Sequence, residues 1–193
     1  DSLPSTRKAG RPTYNGDAQN RLYGDVWLME RVAEKTKIRE DLEKVFEGNK
    51  EKVDDIMTLA MFPYISNYSY SRLARWQRYT KTPSTREMSP GDITRLTQSI
   101  TEKDRQALLR LRSERIGKME LCAVDSTSRS AYGSSLADIR WGHNKENIAL
   151  AQTNEVVVYT LSNHMPIYYR SFPGNIPDSR TMGVIQSDLR CAG

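Results

Sequence analysis

The chain has 193 residues, 37% hydrophobic and 27% charged. That supports one or two domains with a real core. No apolar run approaches the ~20 residues of a bilayer span; with no signal segment visible, a cytoplasmic, non-membrane protein is expected.

Cys122 and Cys191 are the two cysteines. They form neither a metal-ligand spacing nor a disulfide framework, which suits a reducing compartment. Cys122 is expected to be a buried strand residue. The net charge is +5, and its distribution is uneven. Residues 118–193 hold 7 basic and 7 acidic side chains, while residues 1–117 hold 22 and 17. Between Asp55 and Glu87 there is no acid at all, yet Arg72, Arg75, Arg78, Lys81 and Arg86 fall there. An acid-free, arginine-rich window points to a polyanion partner.

Residues 1–22 read as a flexible basic lead-in with Pro4, Gly10, Pro12 and Gly16. Arg7, Lys8 and Arg11 there would suit a minor-groove arm, but a solvated linker is the preferred reading. Residues 23–117 read as a helical region for DNA binding or dimerisation. Val26, Met29 and Ala33, then Ile38, Leu42 and Val45, predict one amphipathic helix over 25–47. A second is predicted over 50–62, with Val53, Ile56, Met57 and Ala60 inward and Pro63 stopping or kinking it. A third spans 69–80. Leu73 and Trp76 share one side of it, and Arg72, Arg75 and Arg78 share the other. Such a helix can pack with one face and grip phosphates with the other. A solvated helix face explains the spacing equally well; the missing acids and nearby Tyr68, Tyr70 and Tyr79 favour nucleic acid. Ser89-Pro90-Gly91-Asp92 and Thr101-Glu102-Lys103-Asp104 are two helix starts of capping-box type. The helices they open are predicted to reach about Ile100 and to end at Gly117.

Beyond Gly117 the pattern becomes strand-like. Strands are predicted over 119–124, 148–161 and 165–170, with a turn at Ser162-Asn163-His164 in which Asn163 supplies the left-handed residue. A final helix over about 179–190 is expected to bury Met182, Ile185 and Leu189, with Asp178 as its cap. Asp125 ends the first apolar run, Leu121-Cys122-Ala123-Val124, and opens Asp125-Ser126-Thr127-Ser128. A carboxylate at a strand's mouth is a natural holder of a hard cation such as Mg²⁺, which prefers oxygen ligands.

The ordered set of Asp125, Gly142 to Lys145, a hairpin over roughly 147–170, and Gly174 to Asp178 resembles DDE-type transposases of bacterial insertion sequences. Residues 118–193 carry the resemblance, and the helical part follows it loosely. It implies an α+β chain, a helical region followed by the first part of an RNase H-like α/β domain (three strands and a helix). It implies that Asp125 is a catalytic carboxylate and a ligand to Mg²⁺ or Mn²⁺. The complete enzyme would cut double-stranded DNA at its element's ends and join it to a target, as a homo-oligomer. The family's second Asp and its Glu have no position before Gly193, and the chain opens on Asp1. It is therefore expected to be a piece of a longer transposase, inactive alone. Lys145 would touch DNA phosphate or sit on an exposed turn, and Arg140 is a weaker candidate of the same kind. Asp178 precedes a helix and is read as structural. No nucleophile-elbow glycines surround Ser126 or Ser128, which argues against a Ser-His-Asp site with His143 or His164. The alternative is a DNA-binding module or regulator of transposition without chemistry.

Overall fold

The computed structural model describes residues 20–116, 120–130, 138–142 and 150–192. Among these, seven α-helices precede or follow a three-stranded antiparallel sheet, an α+β arrangement. No described helix is long and apolar enough to cross a membrane.

The stretch expected as one helix is two, α1 (Gly24–Thr36) and α2 (Ile38–Val45). Lys37 breaks them, at φ 59°. Its backbone N–H turns back to the carbonyls of Ala33 and Glu34, so a left-handed lysine plays the part usually taken by glycine. α3 (Lys50–Ile65) begins where the Asn49 side chain accepts from the N–H of Lys52 at 3.1 Å. It continues through Pro63, which lies close enough to the end that its missing N–H interrupts little of the ladder. Ala60, expected inward, is exposed; Asp55 and Thr58 occupy buried positions instead. A single 3-10 turn at Tyr70–Arg72 leads into α4 (Leu73–Tyr79). α5 (Pro90–Gln98) and α6 (Glu102–Ser113) both start with complete capping boxes, Ser89 with Asp92 and Thr101 with Asp104.

The sheet runs β1 (Cys122–Ser130), β2 (Gln152–Thr160), β3 (Pro166–Pro173), each strand antiparallel to the next, and α7 (Asp178–Ala192) follows. β2 alternates in burial along its whole length, so its two faces are distinct. Val156 and Val158 lie on the covered face with Tyr168 and Phe172, against Ile185 of α7 and Leu109 of α6. α7 buries Thr181 and Ile185, while Met182 is exposed, which shifts its inward face from the one expected. Asp188 of α7 accepts from the hydroxyl of Tyr168 at 2.6 Å and from Arg170 at 2.5 Å. In the hairpin turn the left-handed residue is His164, φ 55°, and not Asn163. Asn163 instead uses its side-chain oxygen, which accepts from Thr160 Oγ1 and from the N–H of Met165. Cys122 is exposed: among the described residues β1 is at the edge of the sheet, and α6 packs on β3.

A second apolar cluster joins α1, α2 and α3 through Val26, Leu42, Val53, Met57 and Met61. A third holds Phe62, Leu73, Met88 and Leu96. α6 belongs to both halves of the molecule: Leu108 packs on the first helices and Leu109 on the sheet.

Fully buried Asp41 of α2 accepts hydrogen bonds from Arg112 of α6 and from Arg115 just beyond it. Burial pushes the Asp41 carboxyl up, but the bonds from Arg115 and Arg112 outweigh this and hold it below its ordinary value of 3.8. A depressed carboxylate contributes stability that is full above its unfolded pKa and lost as pH falls through the folded one. Asp41→Ala is expected to cost about 3–5 kcal/mol at pH 7, since it strands a buried guanidinium. It should also flatten the loss of stability that begins below about pH 4. Urea unfolding of both proteins at pH 7 and pH 3 checks this; an unchanged midpoint at pH 7 would refute it.

Candidate nucleic-acid interface

The five basic residues of the acid-free window fare differently in three dimensions. Arg86 turns inward: its Nε donates to buried Asp55 at 3.0 Å, and Asp92 lies 3.3 Å from its other end. Ser84 Oγ donates to the same Asp55 at 2.6 Å, so this carboxylate is an organising centre for the 84–86 segment. Arg78 donates to Glu87 at 2.9 Å. Lys81 lies over the ring of Tyr23, its Nζ 4.5 Å from the centroid. Among the described residues the side chains of Arg72 and Arg75 have no ion-pair or hydrogen-bond partner. Both are exposed.

Arg72 and Arg75 open onto one groove of about 670 Å³. Three segments build it. The end of α3 passes into Ser66, Asn67 and Tyr68, where the Ser66 hydroxyl accepts from the N–H of Tyr68 at 3.2 Å. The 3-10 turn and α4 add Arg72, Arg75, Trp76 and Tyr79. The start of α1 adds Tyr23, Asp25 and Val26. That last segment is fixed by backbone pairing: Leu22 N–H donates to Tyr79 O and Lys81 N–H to Leu22 O, each at 2.8 Å. Leu73, buried with Phe62 and Met88, anchors α4 so that its arginines face out. Trp76 is held edge-on against Phe62, ring centroids 5.3 Å apart. Tyr70, by contrast, leans on Phe62 and does not line the groove.

The residues expected to act together therefore divide. Arg72 and Arg75 are brought together with Tyr68 and Tyr79; Arg78 and Lys81 are neighbours with protein partners of their own. Tyr23 and Asp25 are groove residues that the sequence reading missed. They lie some fifty residues away in the chain, and no local signal ties them to α4. Arg140 belongs to the sheet region, where its backbone exchanges both hydrogen bonds with Gln152, at 3.1 and 2.9 Å, and its Nη1 donates to Ile139 O. Lys145 and His143 lie outside the described residues, as does the side chain of Asp178, at which α7 begins.

Asp125 is not at the mouth of a strand. β1 runs on to Ser130, and Asp125 is an exposed residue within it, opposite Val157. Directly paired residues share a face. Asp125, Thr127 and Arg129 thus stand with Glu155 and Val157 on the face away from Val156 and Val158. Glu155 on that face is 3.3 Å from Arg129. No group of three His, Cys, Asp or Glu side chains able to hold a metal occurs among the described residues. Asp125 offers a single carboxylate, and that does not fit a metal pair by itself.

The two glycine elements singled out in the sequence meet. A Cβ on Gly142 would fall 1.8 Å from the carbonyl oxygen of Gly174, and one on Gly174 would fall 2.2 Å from that of Gln152. Only glycine permits that crossing of three backbone segments. Among known proteins, no family model, curated protein or solved structure matches this chain significantly.

The division of the arginines has a measurable consequence. Arg86→Ala should lower stability by about 1–3 kcal/mol, because it leaves the Asp55 carboxylate buried with fewer donors; the partial exposure of Arg86 keeps the figure modest. Arg72→Ala and Arg75→Ala should each stay within about 0.5 kcal/mol of the parent. Thermal melts decide it, and a large drop on changing Arg72 or Arg75 would count against a solvent-facing role.

Proposed function

We propose that this chain is part of a DDE-type transposase: its helical region binds double-stranded DNA, and its sheet region carries the first carboxylate of an RNase H-like catalytic domain. The DNA reading rests on one observation above the others, that Arg72 and Arg75 stand exposed, without protein partners among the described residues, beside aromatic side chains. Cations left without protein counter-charges are the ones available to phosphates. The catalytic reading is supported by the order of parts. An Asp-bearing strand opens an antiparallel meander, a Gly174-Asn175 turn follows it, and then a helix. Asp125 is exposed on the sheet face that the core does not use, where a substrate backbone can approach.

On this reading Asp125 is a ligand to Mg²⁺ or Mn²⁺ in the complete enzyme, and further carboxylates join it from outside these 193 residues. A bound metal pair would activate the attacking oxygen and stabilise the leaving one. The described residues contribute one ligand, a DNA-gripping surface and the helical scaffold. The complete protein acts as a homo-oligomer at the element ends and target, in the cytoplasm on the nucleoid. A second reading, a DNA-binding regulator of transposition without chemistry, rests on the same Arg72–Arg75 groove and on the lack, among the described residues, of a three-acid group that includes Asp125.

Binding of the 193-residue chain to a DNA duplex should weaken with salt along a log–log line whose slope is about −0.9 per phosphate neutralised. Changing both Arg72 and Arg75 to Ala should make that slope shallower by about 2. Fluorescence anisotropy across a salt series measures it, and binding absent even at low salt would overturn the DNA reading. In the longer chain, Asp125→Asn should abolish Mg²⁺-dependent cleavage with DNA affinity retained. Retained cleavage would remove Asp125 from the site, whereas no cleavage by the unmutated longer chain would favour the regulator.

A further inference from the structure

The groove beside Arg72 and Arg75 is concave and aromatic, which a duplex does not require. We infer that it receives unpaired nucleotides at a DNA end, with phosphates on Arg72 and Arg75 and exposed bases against Tyr68 and Tyr79. The inference deepens the DNA reading above and rests on it.

Three observations carry it. The first is shape: about 670 Å³ lies within the range of ligand clefts, roughly 300–1,000 Å³. A duplex keeps its base faces covered and presents a convex ridge of phosphates, so it would engage the arginines and leave the cleft unfilled. The second is the state of the two tyrosines. Tyr68 is 72% and Tyr79 61% exposed, although Trp76 between them is anchored on Phe62. Large aromatic faces left open beside free guanidinium groups form the combination that holds single strands: stacking takes any base, and cations follow the backbone. The third is charge. Two arginines against one acid, Asp25, leave the groove cationic. The chain's own lead-in, residues 1–22, carries four basic and two acidic side chains, so it is a poor electrostatic match for the cleft. A polyanion is the better one.

The experiment compares four ligands on the 193-residue chain at one salt concentration. They are a blunt duplex, the same duplex with a short single-stranded extension, the extension alone, and a free nucleoside monophosphate. The extended duplex is expected to bind most tightly. Tyr68→Ala and Tyr79→Ala should each weaken its binding roughly 10-fold and so narrow its advantage over the blunt duplex. Tyr68→Phe and Tyr79→Phe should keep the preference, since stacking needs the ring and not the hydroxyl; this separates stacking from misfolding. Equal affinity for blunt and extended duplexes would overturn the inference while the duplex-binding reading stands. Binding of the extension alone as tightly as the extended duplex, with none to blunt duplex, would overturn both the duplex reading and the assignment to a DNA end. A free nucleotide that binds as well as the extended duplex would overturn the assignment to a DNA end. No binding of any of the four would end both.

Discussion

The buried cluster of Asp41 with Arg112 and Arg115 is what the rest of the molecule is built around. Arg112 Nη1 donates at once to Asp41, at 3.1 Å, and to the carbonyl of Thr36, at 2.6 Å. Thr36 is the last residue of α1, where helix carbonyls lack partners, so α6 satisfies the break between α1 and α2 from outside. The same helix turns Leu109 to the sheet and lets Arg105 donate to the carbonyl of Tyr169 on β3 at 2.6 Å. A single helix thereby fixes the angle of α1 and α2 on one side and the sheet on the other. Buried charges are costly unless paired and hydrogen-bonded, and here Arg112 bonds backbone as well as carboxylate. The arrangement favours one docking geometry over others, because a small slide of α6 would strand a buried charge.

What was legible in the sequence was whatever depends on neighbours in the chain. Ser89 with Asp92 and Thr101 with Asp104 are local chemistry, and both helix starts formed where their spacing placed them. The valines 156–158 lie in the strand predicted over 148–161; they read as a buried run, but burial alternates along β2. What failed depends on tertiary partners. Lys37 adopts a left-handed backbone that nothing about lysine announces, and the flanking apolar spacing continues smoothly across it. Cys122 and Val124 look like core residues, but both are exposed, and among the described residues β1 is at the edge of the sheet. Ala60 looked inward, yet the buried positions went to Asp55 and Thr58, which serve Ser84 and Arg86.

The basic window shows the same limit in the residues that bear on function. On paper its five cations are equivalent, because no acid lies near them in the chain. In space Asp55 and Glu87, the two acids that bound the window, fold back onto Arg86 and Arg78. An acid-free stretch closed by acids at both ends is thus partly self-neutralised, and only its middle stays open. Sorting cations by their partners separates scaffold from surface in a way that net charge does not.

The position of Asp125 follows from a different balance. On the side it shares with Val156 and Val158, β1 presents exposed Cys122 and Val124, opposite Thr160 and Val158, and then Ser126, Ser128 and Ser130. Exposed apolar groups and hydroxyls contribute little apolar burial there, so among the described residues β1 is held chiefly by its backbone ladder to β2. A ladder alone specifies register weakly in a stretch that is polar on both faces, where a one-residue slip would carry Asp125 to the other face. It fixes an edge strand's distance from anything else weakly as well. A metal ligand needs both kinds of precision, held to within about half an ångström. On the transposase reading, then, the segments that bring the remaining carboxylates must also pack against β1. Ligand set and rigidity would arrive together, and Asp125 would change from an exposed side chain on a paired strand to part of a site.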